Sequence, residues 1–156
     1  MRSGLLLLFS LVGTLVQACP SGWIQHGERC YFFSIVDAGS WSEAGGYCRN
    51  FNAQLAEPDT PSAVTFLDGE VRDKHPKQGE YYLGGSDFFV EGEWRWASSL
   101  NVITNAPWGS GEPNDQLGKE DCLALTIIGY WNDVPCNTSL PFVCQVDNEF
   151  SQTAIG

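Results

Sequence analysis

Six cysteines, Cys19, Cys30, Cys48, Cys122, Cys136 and Cys144, constrain this chain more than anything else in it. They follow a leader. Arg2 gives a positive start, Leu5 to Val16 is largely apolar, and Val16-Gln17-Ala18 puts small or neutral residues at the cleavage positions. That apolar run is too short for a membrane span, which needs about 20 residues. Residues 1–18 therefore read as a signal peptide, and the mature chain is expected to begin at Cys19, secreted and extracellular. An even number of cysteines in an oxidising compartment means disulfides. Arithmetic alone leaves their pairing open. Spacing excludes a zinc site, because no two cysteines stand in a C-x₂-C arrangement and His26 and His75 are isolated. Both histidines read as surface residues.

From Cys19 to Gly156 the chain has the length of one ordinary domain, with no internal repeat and no dividing linker. Its formal charge of −11 becomes −12 once Arg2 leaves with the leader. Such acidity argues against nucleic acid and anionic membrane surfaces as partners. Past the leader no segment is apolar for long enough to insert into a bilayer. Self-repulsion on this scale also destabilises a compact domain, unless bound cations cancel part of it.

Trp41, Ala44, Tyr47, Cys48 and Phe51 recur at helical spacing behind a capping box of Ser40 and Glu43. Gly45 and Gly46 weaken that helix. A second is better marked: Thr60 can cap it, Pro61 fits its first position, and Val64, Leu67 and Val71 share a face. Strands are predicted at Cys19–Trp23 and Cys30–Phe33, two short ones tied near their ends, at Tyr81–Gly85, Glu93–Trp96 and Cys122–Ile128, and near Trp131 and Pro141–Cys144. From Ser98 to Lys119 no periodicity appears. A loop of that length inside a compact domain is functional or disordered, and here it carries carboxylates, so order imposed by a metal is the economical account. Trp23, Trp41, Trp94, Trp96 and Trp131 read as packing residues.

Every candidate metal ligand in the next stretch binds through oxygen. It runs Glu112-Pro113-Asn114-Asp115, Glu120-Asp121-Cys122, then Trp131-Asn132-Asp133 and Cys136. Clustered anionic oxygens on irregular backbone suit a hard cation such as Ca²⁺, which takes about six to eight oxygen ligands. The alternation of acid and amide says more than the charge. Glu112 and Glu120 only accept hydrogen bonds, whereas Asn114 and Asn132 also donate. An ion ringed by two acceptors and two donors can hold a pair of neighbouring hydroxyls. Each hydroxyl lends a lone pair to the metal, gives its proton to a carboxylate and accepts from an amide. Glu112 with Asn114 would serve one, and Glu120 with Asn132 the other. Paired carboxylates also serve glycosidases, but metal ligation accounts for these better and no nucleophile–base constellation is visible. An enzyme is not expected.

Taken together these features resemble a C-type lectin domain, from Cys19 to about Val146. The matching parts come in that family's order: an N-terminal cysteine pair, a helix bearing Cys48, Tyr82-Leu83-Gly84, Glu112-Pro113-Asn114, Glu120-Asp121-Cys122, Trp131-Asn132-Asp133 and Phe142-Val143-Cys144. The resemblance implies an α+β fold of two helices, small antiparallel sheets and a long calcium-ordered loop, over residues 19–147 with a short polar tail at 148–156. It implies disulfides Cys19–Cys30 (the extra N-terminal bridge of the family's long form), Cys48–Cys144 and Cys122–Cys136.

By the same resemblance Glu112, Asn114, Glu120, Asn132 and Asp133 would hold the sugar-binding calcium, with the Glu112–Pro113 bond cis. Asp87, Glu91, Asp115, Glu120 and Asp121 would hold an accessory one. Glu-Pro-Asn accompanies mannose, glucose, N-acetylglucosamine and fucose in this family, so glycans are the implied partners, microbial surface polysaccharides and innate immune recognition among the settings. Trp108 is a candidate for stacking on a sugar face. Single sites of this kind bind weakly, so several copies would be needed for avidity; the chain carries no coiled-coil or collagen-like segment to gather them. Asn137-Thr138-Ser139 is a glycosylation sequon. The rival reading is a sugar-independent protein- or surface-binding module on the same fold.

Overall fold

The computed structural model describes residues 19–75 and 79–148; the expected signal peptide and the tail from 149 onward lie outside these residues. The chain folds as β1 (Ile24–His26), β2 (Arg29–Phe33), α1 (Trp41–Arg49), β3 (Gln54–Leu55), α2 (Pro61–Lys74), β4 (Glu80–Ser86), β5 (Arg95–Trp96), β6 (Cys122–Thr126), β7 (Trp131–Val134) and β8 (Val143–Asp147).

Both helices begin where capping chemistry places them. At α1 the Glu43 amide donates to Ser40 Oγ and the Ser40 amide donates to Glu43 Oε2, a reciprocal cap. At α2 the Ala63 amide donates to Thr60 Oγ1, with Pro61 in the first turn. The helix runs through Gly45 and Gly46 despite a cost of about 1 kcal/mol each relative to alanine. Burial of Ala44 and Cys48 offsets it, as does the Cys48–Cys144 bridge across 96 residues, since such cross-links typically stabilise by about 2–4 kcal/mol. The helix stops at Arg49, short of the periodicity that reached Phe51. Asn52 turns the chain with φ of 53°, and Phe51 lies half exposed against Tyr47 and Trp23.

Two four-stranded sheets form, ordered β1-β2-β8-β3 and β5-β4-β6-β7, with every strand pairing antiparallel. The first closes the two ends of the domain together, Arg29 opposite Asp147 and Phe33 opposite Val143. Disulfides Cys19–Cys30 and Cys122–Cys136 pin strand ends beside Cys48–Cys144. The second sheet buries Leu83, Leu123, Leu125, Trp94, Trp96 and Trp131 against Leu67 and Val71 of α2, each large apolar side chain contributing about 2 kcal/mol. Its other face packs Tyr82, Ala124 and Val134 towards Cys48 and Phe142.

Two expectations need correction. The histidines are half-buried rather than free on the surface: His26 stacks on Phe66 at 4.3 Å and hydrogen-bonds Ser62, and His75 stacks on Phe33. The strand expected over Glu93–Trp96 shrinks to Arg95–Trp96, because Glu93 donates its amide back to Val90 in a turn. The long loop is also held by protein contacts through its first half. Buried Glu57 accepts from the amides of Ser98 and Ser99 at 2.7 and 3.4 Å, and Ile103, Ala106 and Trp108 pack on the main core.

Candidate functional site

The site is assembled on the free edge of β7, the outer strand of the second sheet. Side chains alternate along a strand. Asn132 therefore lies in line with Ala124 and Tyr82, and Asp133 with Leu123 on the opposite face. Two adjacent residues thus flank one edge from both sides. The loop is drawn onto that edge by main-chain bonds, the Trp131 amide donating to Pro107 and the Gly109 amide to Trp131.

Asp133 then fixes the acid–amide segment. It is 1% exposed and accepts from the Asn114 amide at 3.1 and 2.9 Å and from the Asp115 amide at 2.6 Å. The Glu112–Pro113 bond is cis. Asn114 donates its side-chain amide to Glu112 Oε2. Burial, and then the neighbouring Asp133 carboxylate, push the Glu112 acid above its ordinary range. Glu120 joins through a tight turn in which its amide donates to Asp115 Oδ1 at 3.2 Å and its own Oε2 accepts from the Gln116 amide at 2.9 Å. Asp115 and Leu117 adopt positive φ there. Glu112, Asn114 and Asp133 are joined directly and Glu120 through Asp115. Asn132 instead donates its side-chain amide to Glu80 Oε1 at 3.1 Å.

A second cluster adjoins the first. Asp87, Glu91 and Asp121 each present a carboxylate oxygen within 4.8 Å of the others. Asp87 is 3% exposed; its Oδ2 accepts from the Gly92 amide at 2.9 Å, while its Oδ1 has no hydrogen-bond partner among the described residues. Desolvation raises its acid, with Asp121 adding to the effect. Glu91, on the surface, is raised by partial desolvation and then by Asp87, Asp115, Asp121 and Asp133. Asp115 and Glu120, expected as accessory ligands, lie outside this close trio. A buried acid oxygen left without a donor among mutually repelling carboxylates fits a hard cation in its chemistry.

Trp108 is a packing residue, edge-on to Trp94 at 4.9 Å and to Trp131 at 6.2 Å. Asn137 is exposed, on the turn after β7. Two carboxylates escaped sequence reasoning. Glu57 pins the start of the loop, and Glu80 holds Asn132; only the register of β4, β6 and β7 brings Glu80 to that amide, so no local signal could have found it.

Residues 37–146 match the family model described as Lectin C-type domain. The chain is 34% identical over 139 residues to mouse C-type lectin domain family 4 member E, a match covering 86% of this chain but only 63% of that protein. It is 35% identical over 134 residues to perlucin of Haliotis laevigata, covering 81% and 82% of the two. Among solved structures, the cow CD23 carbohydrate-recognition domain, crystallised in the presence of a GlcNAc2Man3 oligosaccharide, superposes with a TM-score of 0.74 at 30% identity, covering 83% of this chain and 96% of that one.

Proposed function

The chain belongs to the C-type lectin domain family, and from that premise we propose that it is a secreted, calcium-dependent lectin for mannose-type sugars. Glu112, Asn114, Glu120, Asn132 and Asp133 would hold the principal Ca²⁺, and Asp87, Glu91 and Asp121, with Asp115 and Glu120 beside them, an accessory one. The ion supplies a Lewis-acidic centre with coordination places left for two hydroxyl oxygens. The protein's own work is hydrogen bonding. Glu112 and Glu120 accept hydroxyl protons, while Asn114 and Asn132 donate to hydroxyl lone pairs. Nothing in this assignment calls for catalysis.

One observation carries the reading: buried Asp133 gathers the Asn114 and Asp115 amides onto the β7 edge and sets the Glu112 carboxylate beside its own. Two neighbouring acids repel unless one takes up a proton or a cation lies between them, and at neutral pH the cation is the stronger remedy. Calorimetry on the oxidised chain tests this. Calcium uptake followed by calcium-dependent binding of mannose but not galactose is expected; no calcium uptake would end it. Glycans, microbial surface polysaccharides among them, are the proposed partners. No helix among the described residues is long and apolar enough to cross a membrane.

A second reading, sugar-independent attachment to a protein or other surface, is favoured by the turn after β4. There Phe88, Phe89 and Val90 are exposed by 69%, 89% and 55%. Partner binding that survives both EGTA and free mannose would select it.

A further inference from the structure

We infer that Glu80 is a positioning residue for the candidate sugar site, acting through the carboxamide of Asn132; this rests on the lectin reading above. Glu80 opens β4 and Asn132 lies on β7, two strands away across β6. In the register of the sheet Glu80 stands opposite Thr126, while Tyr82, Ala124 and Asn132 form one row. A methyl group is all that β6 raises between Tyr82 and Asn132. The long Glu80 side chain can therefore cross over β6, and its Oε1 meets Asn132 Nδ2 at 3.1 Å in a part-buried setting.

An asparagine carboxamide has two ends of similar size and opposite hydrogen-bonding character. In the proposed site they do different work: Oδ1 is the metal ligand and Nδ2 the donor to a sugar hydroxyl. Rotation of the amide by half a turn would aim donor hydrogens at a cation. A carboxylate cannot donate, so Glu80 accepts only the NH₂ end and discriminates against that rotamer. It takes one of the two Nδ2 hydrogens and leaves the other for the ligand. The device needs no proton transfer. Partners that orient metal ligands in this way typically change metal affinity by about 10–100-fold when removed.

The sheet holds Glu112 and Asn114 only through the main chain, Asp133 of β7 accepting the Asn114 peptide amide. They lie on a loop and orient one another, Asn114 Nδ2 donating to Glu112 Oε2. The site thus has one amide fixed by its own loop partner and one fixed by a distant strand.

The test compares Glu80→Met, which keeps length and removes the acceptor, with Glu80→Gln, whose Oε1 can still accept from Asn132. Calcium and mannose affinities are measured by calorimetry on the oxidised chain, and thermal unfolding is followed in EDTA. The inference expects Glu80→Met to lose about tenfold in affinity for both, Glu80→Gln to stay within about threefold of the parent, and each variant to unfold in EDTA in a single transition no more than a few degrees below the parent's, the scale of one lost hydrogen bond. A purely structural role would instead lower the EDTA transition of Glu80→Met further, without rescue of affinity by Glu80→Gln. Glu80→Met binding as the parent does would overturn the inference alone. A parent chain that takes up no calcium would overturn the lectin reading, and this inference with it.

Discussion

The two carboxylate clusters adjoin one another and are built on opposite principles. Around Asp133 the acids alternate with donors: two peptide amides and the Asn114 side chain answer the oxygens of Asp133 and Glu112. Around Asp87 three acids face each other, one amide bond from Gly92 reaches Asp87, and the other oxygen of Asp87 is buried unanswered. The first arrangement encodes a loop shape in hydrogen bonds that the chain makes to itself. The second leaves its electrostatics to be completed from outside. Shape at the Asp133 cluster therefore belongs to the chain, while the Asp87 cluster is chiefly a load that a bound cation would relieve.

Asp133→Asn gives the sharpest break in that contrast. Asparagine fits the space but has one acceptor oxygen and no charge: with that oxygen in the Oδ2 position its NH₂ meets the Asn114 amide where Oδ1 accepted, so the anchoring bonds at 2.6–3.1 Å are lost or weakened. Hydrogen bonds to a charged acceptor are worth about 1.5–3 kcal/mol, and a destabilisation of about 2 kcal/mol in EDTA is expected, along with loss of calcium uptake at the principal site. Denaturant titration in EDTA checks the first part. An unchanged midpoint would mean that the loop owes its shape to something other than Asp133.

Next in size is the exchange of donor and acceptor around Pro113. Glu112→Gln with Asn114→Asp keeps both oxygens for the metal and reverses the order of amide and acid. Preference between mannose and galactose is expected to move about tenfold towards galactose, or about 1.4 kcal/mol, measured by competition for an immobilised glycan. Unchanged preference at unchanged calcium affinity would show that stereochemical choice lies elsewhere in the loop.

Much of this was legible in the residues, and the unequal legibility has a physical cause. The helix starts at Ser40 and Thr60 were readable because capping is local chemistry within four residues. The α+β class and the arrangement of its small sheets came through the resemblance to C-type lectin domains that the motifs and cysteines carry together. The short β3 and the half-burial of His26 were not readable, since both depend on what packs against them: Gln54 and Leu55 become a strand only by pairing with Gln145 and Cys144. At the site, Glu112, Asn114 and Asp133 stood out because acid and amide alternate within three residues and recur at β7. The bond from Asn132 to Glu80 spans 52 positions. It follows from the order of strands, which no local pattern contains.

A smaller effect is expected from Asp87→Asn, which acts on the other side of the comparison. Removing the charge relieves an acid that burial disfavours and that Asp121 repels. In EDTA the variant should be more stable than the parent by on the order of 1 kcal/mol, the scale of one unsatisfied buried group. In calcium the order should reverse, because the accessory ion loses a ligand. Calorimetric unfolding in both buffers reads the sign directly; a variant less stable in both would show that Asp87 is a structural acceptor whose bond from Gly92 outweighs its isolation.

The smallest effect separates the clusters from an ordinary ion pair by pH. Asp87, Glu91 and Glu112 have folded pKa values above their ordinary ones, so in EDTA their charged forms oppose folding at neutral pH. That opposition fades as pH falls through the raised values, and the cation-free chain should gain stability on moving from pH 7 into the upper carboxylate range. Asp59 behaves oppositely. Its bonds with Arg29, at 2.7 and 3.1 Å, hold its acid below the ordinary 3.8. The stability it contributes is present above 3.8 and is lost as pH falls through its depressed folded value. The EDTA profile should therefore rise and then fall as acid is added, with Asp59→Asn flattening only the acid limb. In calcium the rising limb should vanish and stability should fall monotonically, since protons then compete with the ion for the same oxygens. A cation-free profile that only falls from pH 7 would mean that the clustered acids do not oppose folding at all, and the contrast between a loop built by the chain and a load relieved by the ion would lose its second half.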